Sequence, residues 1–236
     1  MAIARPGKII CVGRNYHEHA AELGNVVPQQ PLLFFKPATA VIGDGDAIVL
    51  PPESSRVEYE AEIGVVIGQQ IRRASEPEAL AAIAGVTCVN DVTARDLQRS
   101  EAQWTRAKGF DTFCPVGPRV VRVDPARLTD LEVRCRVNGV ERQHGYARDM
   151  AFGFATLVAY ASQAMTLEPG DLIATGTPAG VGPLAAGDVV EVEIPGVGVL
   201  RNPVAAERRE SLGADRGRGG GGGRVRGGPR LGDSHR

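Results

Sequence analysis

The chain has 236 residues, 43 % of them apolar and 23 % charged, which is the balance of a globular domain with material for a sizeable core. No apolar run approaches the ~18 residues of a membrane-spanning helix, and the N-terminal MAIARPGKIICVGRN lacks the long apolar segment of a signal peptide, so a cytoplasmic location is expected. The net charge of -1 hides an asymmetry: residues 206–236 hold eight arginines against four acids, leaving residues 1–205 at net -5.

Cys11, Cys88, Cys114 and Cys135 are scattered with no C-x-x-C pair, which fits buried free thiols rather than a disulfide frame or a zinc site. Lysine occurs only at positions 8, 36 and 108, so a lysine kept inside an apolar or Gly-rich stretch draws notice.

In chain order, KIICVG reads as a strand, and RNYHEHAAELGN as a helix of about two turns with Asn15 as N-cap and Gly24 at its end. PLLFFKPATAVIG and DAIVLPP follow as strands broken by prolines and the turn GDGD. VEYEAEIGVVIG places Glu58, Glu60 and Glu62 at every second position of a strand, hence on one face, with Tyr59, Ala61, Ile63 and Val65 on the other. Carboxylates about 6.6 Å apart repel by roughly 2.5 kcal/mol at an effective dielectric near 20. Either that face is solvated or a cation offsets the repulsion.

PEALAAIAG reads as a helix with Leu80, Ala81 and Ala84 on one side, VTCVNDV as a strand and ARDLQRSEAQ as a helix. TRAKGFDTFCPVGPRV reads as irregular, and LEVRCRVNG as a strand entering an Asn138-Gly139 hairpin turn. DMAFGFATLVAYASQAM is the one long helical pattern, with Phe154, Leu157, Val158, Tyr160 and Ala161 available for an apolar face. Gly-Asp turns then introduce the strands of GDLIATGTPAGVG, AAGDVVEVEIPG and GVLRNPV. Many short strands with few helices predict an α+β, mainly β, domain. The tail core RGRGGGGGRVRGGPR has almost no apolar residues and is expected to be disordered.

No phosphate-loop or dinucleotide fingerprint opens a helix. TGTPAGVG, Thr175 to Gly182, is either a plain turn or a source of backbone N–H groups for an anion. In the HEH triplet, positions two apart on a helix point about 200° apart, so at most one histidine faces a site. His19 and Glu22 share a face, as a surface pair or as a base with its orienting carboxylate. Asp91 follows an apolar strand as a helix cap or a functional carboxylate. Lys108 is an exposed loop charge or a buried cation matched to an anion.

Taken together, GRNYHEHAAE, PLLFFKPATA, VEYEAEIGVVIG, NDVTARDLQ, TRAKGFDTFCPVGP, RVNGVERQ and GDLIATGTPAGVGPLAAGDVVEVEIPGVG resemble the fumarylacetoacetate hydrolase superfamily, from about Lys8 to Val204. The likeness is to its short acylpyruvase, oxaloacetate decarboxylase and 2-hydroxyhepta-2,4-diene-1,7-dioate isomerase type. It implies a mixed β-roll with a few flanking helices and an N-terminal lid helix, usually as a homodimer. It divides the chain into a lid with edge strands over 1–50, a catalytic domain over 51–205, and the tail over 206–236.

The resemblance further implies metal ligands Glu60, Glu62 and Asp91, a lid dyad of His19 and Glu22, and a lysine near the metal at Lys108. It suggests substrate contacts at Arg14, Gln98 and Thr177, and leaves Glu58 outside the ligand set. An all-oxygen site points to one Mg2+ or Mn2+ per subunit. The expected chemistry acts on small 2-oxo acids through a metal-bound enolate, by C–C hydrolysis or decarboxylation, with isomerisation of 2-hydroxydienoates in aromatic catabolism as the alternative. A rival of another class is a non-catalytic protein that grips RNA through the tail.

Overall fold

The structure, a computed structural model, describes residues 5–22 and 24–207. From residue 208 the Arg/Gly-rich tail lies outside the described residues.

β1 (Ile9–Gly13) is almost wholly buried, and β2 (Leu32–Lys36) runs antiparallel beside it with Ile9 opposite Lys36. Between them lies α1 (His17–Glu22), closed by Gly24 at φ +70°, the left-handed conformation that glycine adopts most easily at a helix end. Asn15 does not cap this helix. Its side chain donates to Phe152 O at 3.1 Å and Thr175 O at 2.8 Å, and accepts from Phe152 N at 2.9 Å, tying three distant segments together.

The proline-punctuated strands are short: β3 (Val41–Ile42) and β4 (Ile48–Leu50). The predicted single glutamate strand is two, β5 (Val57–Tyr59) and β6 (Ala61–Ile67), broken at Glu60. After α2 (Glu76–Ala81) come β7 (Ile83–Asn90), β8 (Thr93–Ala94) and α3 (Arg95–Ser100). α2 turns Ala79 and Ala82 inward, whereas Ala81 is exposed and Ala84 already belongs to β7; its capping box at Ser75 and Glu78 sets that phase.

The segment expected to be irregular contains a one-turn helix, α4 (Thr105–Gly109), and an eight-residue strand, β9 (Cys114–Val121). β10 (Glu132–Val137) and β11 (Val140–Tyr146) form the expected hairpin, with Asn138 and Gly139 both at positive φ. α5 (Phe154–Ala164) buries Phe154, Leu157, Val158 and Ala161, while Tyr160 stays half-buried with its hydroxyl 3.3 Å from the Gln30 side-chain oxygen. β12 (Leu172–Ala174), β13 (Gly182–Pro183), β14 (Val189–Ile194) and β15 (Gly198–Ala206) complete the chain.

These strands form a seven-stranded sheet in the order β2-β1-β12-β6-β7-β9-β3, a five-stranded sheet β11-β10-β14-β15-β4, and a three-stranded sheet β13-β5-β8. The two larger sheets share a core that includes Ile63, Val65, Val86, Val133, Val192 and Leu200. Each such side chain contributes about 1.5–3 kcal/mol by leaving water. The architecture is mainly β with short helices on its flanks, as expected. All four cysteines are buried free thiols. No helix among the described residues is long and apolar enough to cross a membrane.

Candidate metal centre and active-site cavity

The break at Glu60 creates the site. β5 pairs with β13 and β8 in the small sheet, whereas β6 pairs with β12 and β7 in the large one, so the chain changes sheet at this residue. The glutamates nevertheless keep to one side across the break: Glu58 and Glu60 flank Arg95, and Glu60 and Glu62 share one carboxylate cluster. Glu58 stays with the small sheet, and Glu60 and Glu62 turn toward the end of β7. In the antiparallel register Ala61 faces Asn90, which brings Asp91 beside Glu60; the Asp91 N–H donates to Glu60 O at 2.8 Å. Oxygens of Glu60, Glu62 and Asp91 then lie within 4.8 Å of one another. The solvated face is ruled out, because Glu58, Glu60 and Glu62 are 2, 4 and 1 % exposed.

Buried cations offset these charges. Lys108 Nζ donates to Glu60 Oε2 at 2.8 Å and to Asp91 Oδ2 at 2.7 Å. Lys36 pairs with the other Asp91 oxygen and donates to Val92 O at 2.9 Å, and Arg95 pairs with the other Glu60 oxygen. Asp91 therefore caps no helix, and Lys108 is no loop charge. Burial alone would raise the Glu60 carboxyl, but the Lys108 ammonium and the Arg95 guanidinium outweigh it and hold Glu60 well below the usual carboxylate range. Glu62 goes the other way: burial, then the charges of Asp91 and Glu60, push it well above that range. Burial would lower the Lys108 ammonium, yet Asp91 and Glu60 keep it above its ordinary value.

The Gly-rich loop does hold anions, and they are the protein's own. Gly176 N donates to Glu62 Oε2 at 2.8 Å, and Gly180 N lies 3.2 Å from both oxygens of Glu22. Both glycines sit at φ +99°, and a Cβ at Gly180 would come 2.1 Å from Arg142 O, so no other residue fits without moving the loop. Thr177 in the same loop donates its hydroxyl to Ala61 O and accepts from Gln143 Nε2, both at 2.8 Å, bracing the start of β6. His19 Nδ1 lies 3.3 Å from Glu22 Oε2; His19 is buried, whereas His17 and Glu18 are exposed.

A cavity of about 290 Å³ collects these groups. Of the residues expected from the sequence, Arg14, His19, Glu60, Glu62, Asp91, Gln98, Lys108 and Thr177 all line it, and Glu22 stands behind His19. Arg14 adopts φ +59°, a left-handed conformation unusual for a side-chain-bearing residue and frequent where a site constrains the backbone. Phe34 and Trp104, packed edge to face at 5.4 Å, form an aromatic wall. Arg95 and Lys36 were not anticipated as members of the site. Arg95 stands three residues before Gln98 on one helix face, and Lys36 is one of only three lysines, so both carried a usable signal.

Three carboxylates without sulfur or imidazole make a hard donor set that fits one divalent cation of the Mg2+ or Mn2+ kind.

Residues 8–205 match the family described as fumarylacetoacetate (FAA) hydrolase C-terminal, and the chain belongs to it. An uncharacterised protein of Methanocaldococcus jannaschii is 52 % identical over 204 residues, covering 86 % of this chain and 85 % of that one. A protein of Bos taurus named as a mitochondrial oxaloacetate tautomerase is 44 % identical over 212 residues, covering 86 % and 68 %. Among solved structures, the 2-hydroxyhepta-2,4-diene-1,7-dioate isomerase of Mycobacterium marinum superposes with a TM-score of 0.80 at 46 % identity, covering 87 % and 77 %.

Proposed function

We propose that this protein is a divalent-cation enzyme that forms and protonates the enolate of a small 2-oxo acid. The observation that carries the reading is the cluster of Glu60, Glu62 and Asp91 at the floor of a cavity also lined by a histidine, a lysine and arginines. Glu60, Glu62 and Asp91 would hold Mg2+ or Mn2+, which when bound supplies Lewis-acid stabilisation of the negative charge developing on the substrate.

The chain's own groups do the rest. The Nδ1–H tautomer of His19, donating to Glu22, leaves Nε2 as the base that takes or returns a proton at C3. The Gly180 N–H holds Glu22 in place. Lys108 adds a fixed positive charge beside the carboxylates, and Arg14, Arg95 and Gln98 offer N–H donors to the substrate carboxylate. Phe34 and Trp104 give that side of the cavity an aromatic wall.

The names of the bovine and mycobacterial relatives favour proton transfer at C3, as keto–enol tautomerisation or a double-bond shift. C–C cleavage is the second reading, and the same dyad supports it, since His19 could equally deprotonate a water aimed at the C4 carbonyl.

A panel of oxaloacetate, acylpyruvates and 2-hydroxydienoates, run with Mg2+ or Mn2+, tests this. Turnover is expected on at least one of them and only with a cation, with tautomerisation of oxaloacetate read from its enol absorbance. His19→Ala should lower turnover by about 10²–10⁴-fold while leaving cation affinity nearly unchanged. Activity that survives exhaustive chelation, or inertness toward the whole panel, refutes the reading.

A further inference from the structure

Glu58 is the acid that the carboxylate cluster leaves over, and it is as deeply buried as the others. Its Oε2 accepts from Arg95 Nε at 2.6 Å and its Oε1 from Arg56 Nε at 2.6 Å. Arg56 is half-exposed and has solvent as an alternative; Arg95 is 2 % exposed and has none. The Arg95 guanidinium also donates through Nη1 to the Gln98 side-chain oxygen at 2.5 Å and through Nη2 to Glu60.

A guanidinium carries five N–H groups in a rigid plane. Acceptors at Nε, Nη1 and Nη2 fix that plane, and two N–H groups remain for a ligand in the cavity that Arg95 lines. The backbone reinforces the arrangement. Glu58 and Thr93 are paired between β5 and β8, and Arg95 N donates to Arg56 O at 2.7 Å, so acid and arginine are carried on hydrogen-bonded segments. Without Glu58 the only carboxylate left to Arg95 is Glu60. The guanidinium would then turn onto Glu60, its free N–H groups leaving the direction they now hold.

We propose that Glu58 is a positioning residue: it holds Arg95 so that the two remaining N–H groups meet the carboxylate of an anionic 2-oxo acid. This rests on the function proposed above and adds to it a reason for the third glutamate of VEYEAE. Charge neutralisation alone would need no particular placement of the Glu58 oxygens. Positioning needs their distance and direction.

Oxalate, a planar dianion shaped like the enolate of a 2-oxo acid, serves as the probe, with its affinity measured by calorimetry on the full chain in saturating Mg2+. Cation affinity is measured separately without oxalate. Glu58→Asp keeps the charge but withdraws the oxygens by one methylene, and should weaken oxalate about tenfold. Glu58→Leu should do the same, while Glu58→Gln, which retains an acceptor for Arg95 Nε, should stay within about threefold of the parent. Arg56→Ala, which leaves the pair with Arg95 intact, should be neutral. In a substrate assay the Asp variant should raise KM far more than it lowers kcat.

Should Glu58→Leu fail to fold, Glu58→Asp and Glu58→Gln still decide between distance and charge. Parent-like oxalate affinity in the Asp variant, or an equal loss of oxalate and cation affinity, overturns the proposal. A parent protein that binds oxalate yet turns over nothing in the panel counts against the proposed function and leaves the role of Glu58 standing or falling on its own variants.

Discussion

Glu60 and Glu62 stand two residues apart and are shifted in opposite directions, which makes the site's response to pH a property of individual side chains. Lys108 and Arg95 stabilise the charged form of Glu60, while Glu62, deprived of water by burial and facing Asp91 and Glu60, favours its proton. In cation-free protein the stability due to Glu60 is present above the ordinary carboxylate range and is lost as pH falls toward its lowered value. The contribution of Glu62 has the opposite sign, full below the ordinary carboxylate range and lost as pH rises through its raised value. Because a ligand carboxylate must be ionised, cation uptake through Glu62, as proposed, would expel its proton. Apparent Mg2+ or Mn2+ affinity should therefore climb with pH, with up to one proton released per cation bound at pH values below the raised Glu62 value. Titration calorimetry in buffers of different ionisation enthalpy reads this directly. Affinity flat with pH and no proton release would show that Glu62 is already ionised or is not a ligand.

At the scale of elements, the loop between β12 and β13 joins the two halves of the proposed site. One of its N–H groups fixes the proposed metal ligand Glu62 and another fixes Glu22 behind the histidine. The loop can do both because Gly176 and Gly180 occupy left-handed conformations at close backbone approaches. Gly180→Ala forces the Cβ into Arg142 O and pushes the loop away from Glu22. The expected outcome is a loss of about 1–3 kcal/mol in unfolding free energy, from the strained φ and the clash. Turnover should drop about tenfold with cation affinity within threefold of the parent, since Gly176 and Glu62 are not displaced directly. A variant that loses cation affinity in step with turnover would show that the loop acts as one rigid unit on the metal site.

For the whole molecule, the carboxylate cluster is assembled only by folding, so a cation held there as proposed would favour the folded chain. Since only the folded chain brings Glu60, Glu62 and Asp91 together, cation at about 100 times its Kd should stabilise by about 2.7 kcal/mol and raise Tm by roughly 5–10 °C. The C-terminal boundary follows from pairing. Val204, Ala205 and Ala206 lie alongside Ile48, Val49 and Leu50, and Glu207 N donates to Leu50 O at 3.1 Å. A cut after Val204, where the family-like pattern fades in the sequence, would remove part of this ladder; a cut after Glu207 keeps it. The chain ending at Glu207 should retain parent Tm, turnover and cation response. Salt-sensitive RNA binding present in the full chain and lost on that cut would instead support the nucleic-acid rival.

The sequence by itself determined the fold class, most strands and the Asn138-Gly139 hairpin, and its family-like segments pointed to Arg14, His19, Glu60, Glu62, Asp91, Gln98, Lys108 and Thr177, which line one cavity. Period-two hydrophobicity, turn residues and the order of chemically distinctive segments are local properties of a chain, and they survive into the structure. What only the tertiary structure decided concerns pairs far apart in the chain. The sheet change at Glu60 gave Glu58 other strand partners than Glu62, which strand alternation could not show. Asn15, a reasonable cap by local pattern, was drawn instead to Phe152 and Thr175, which offered it buried partners. Lys36 and Arg95 became part of the site because folding buries four carboxylates together and cations must accompany them out of water.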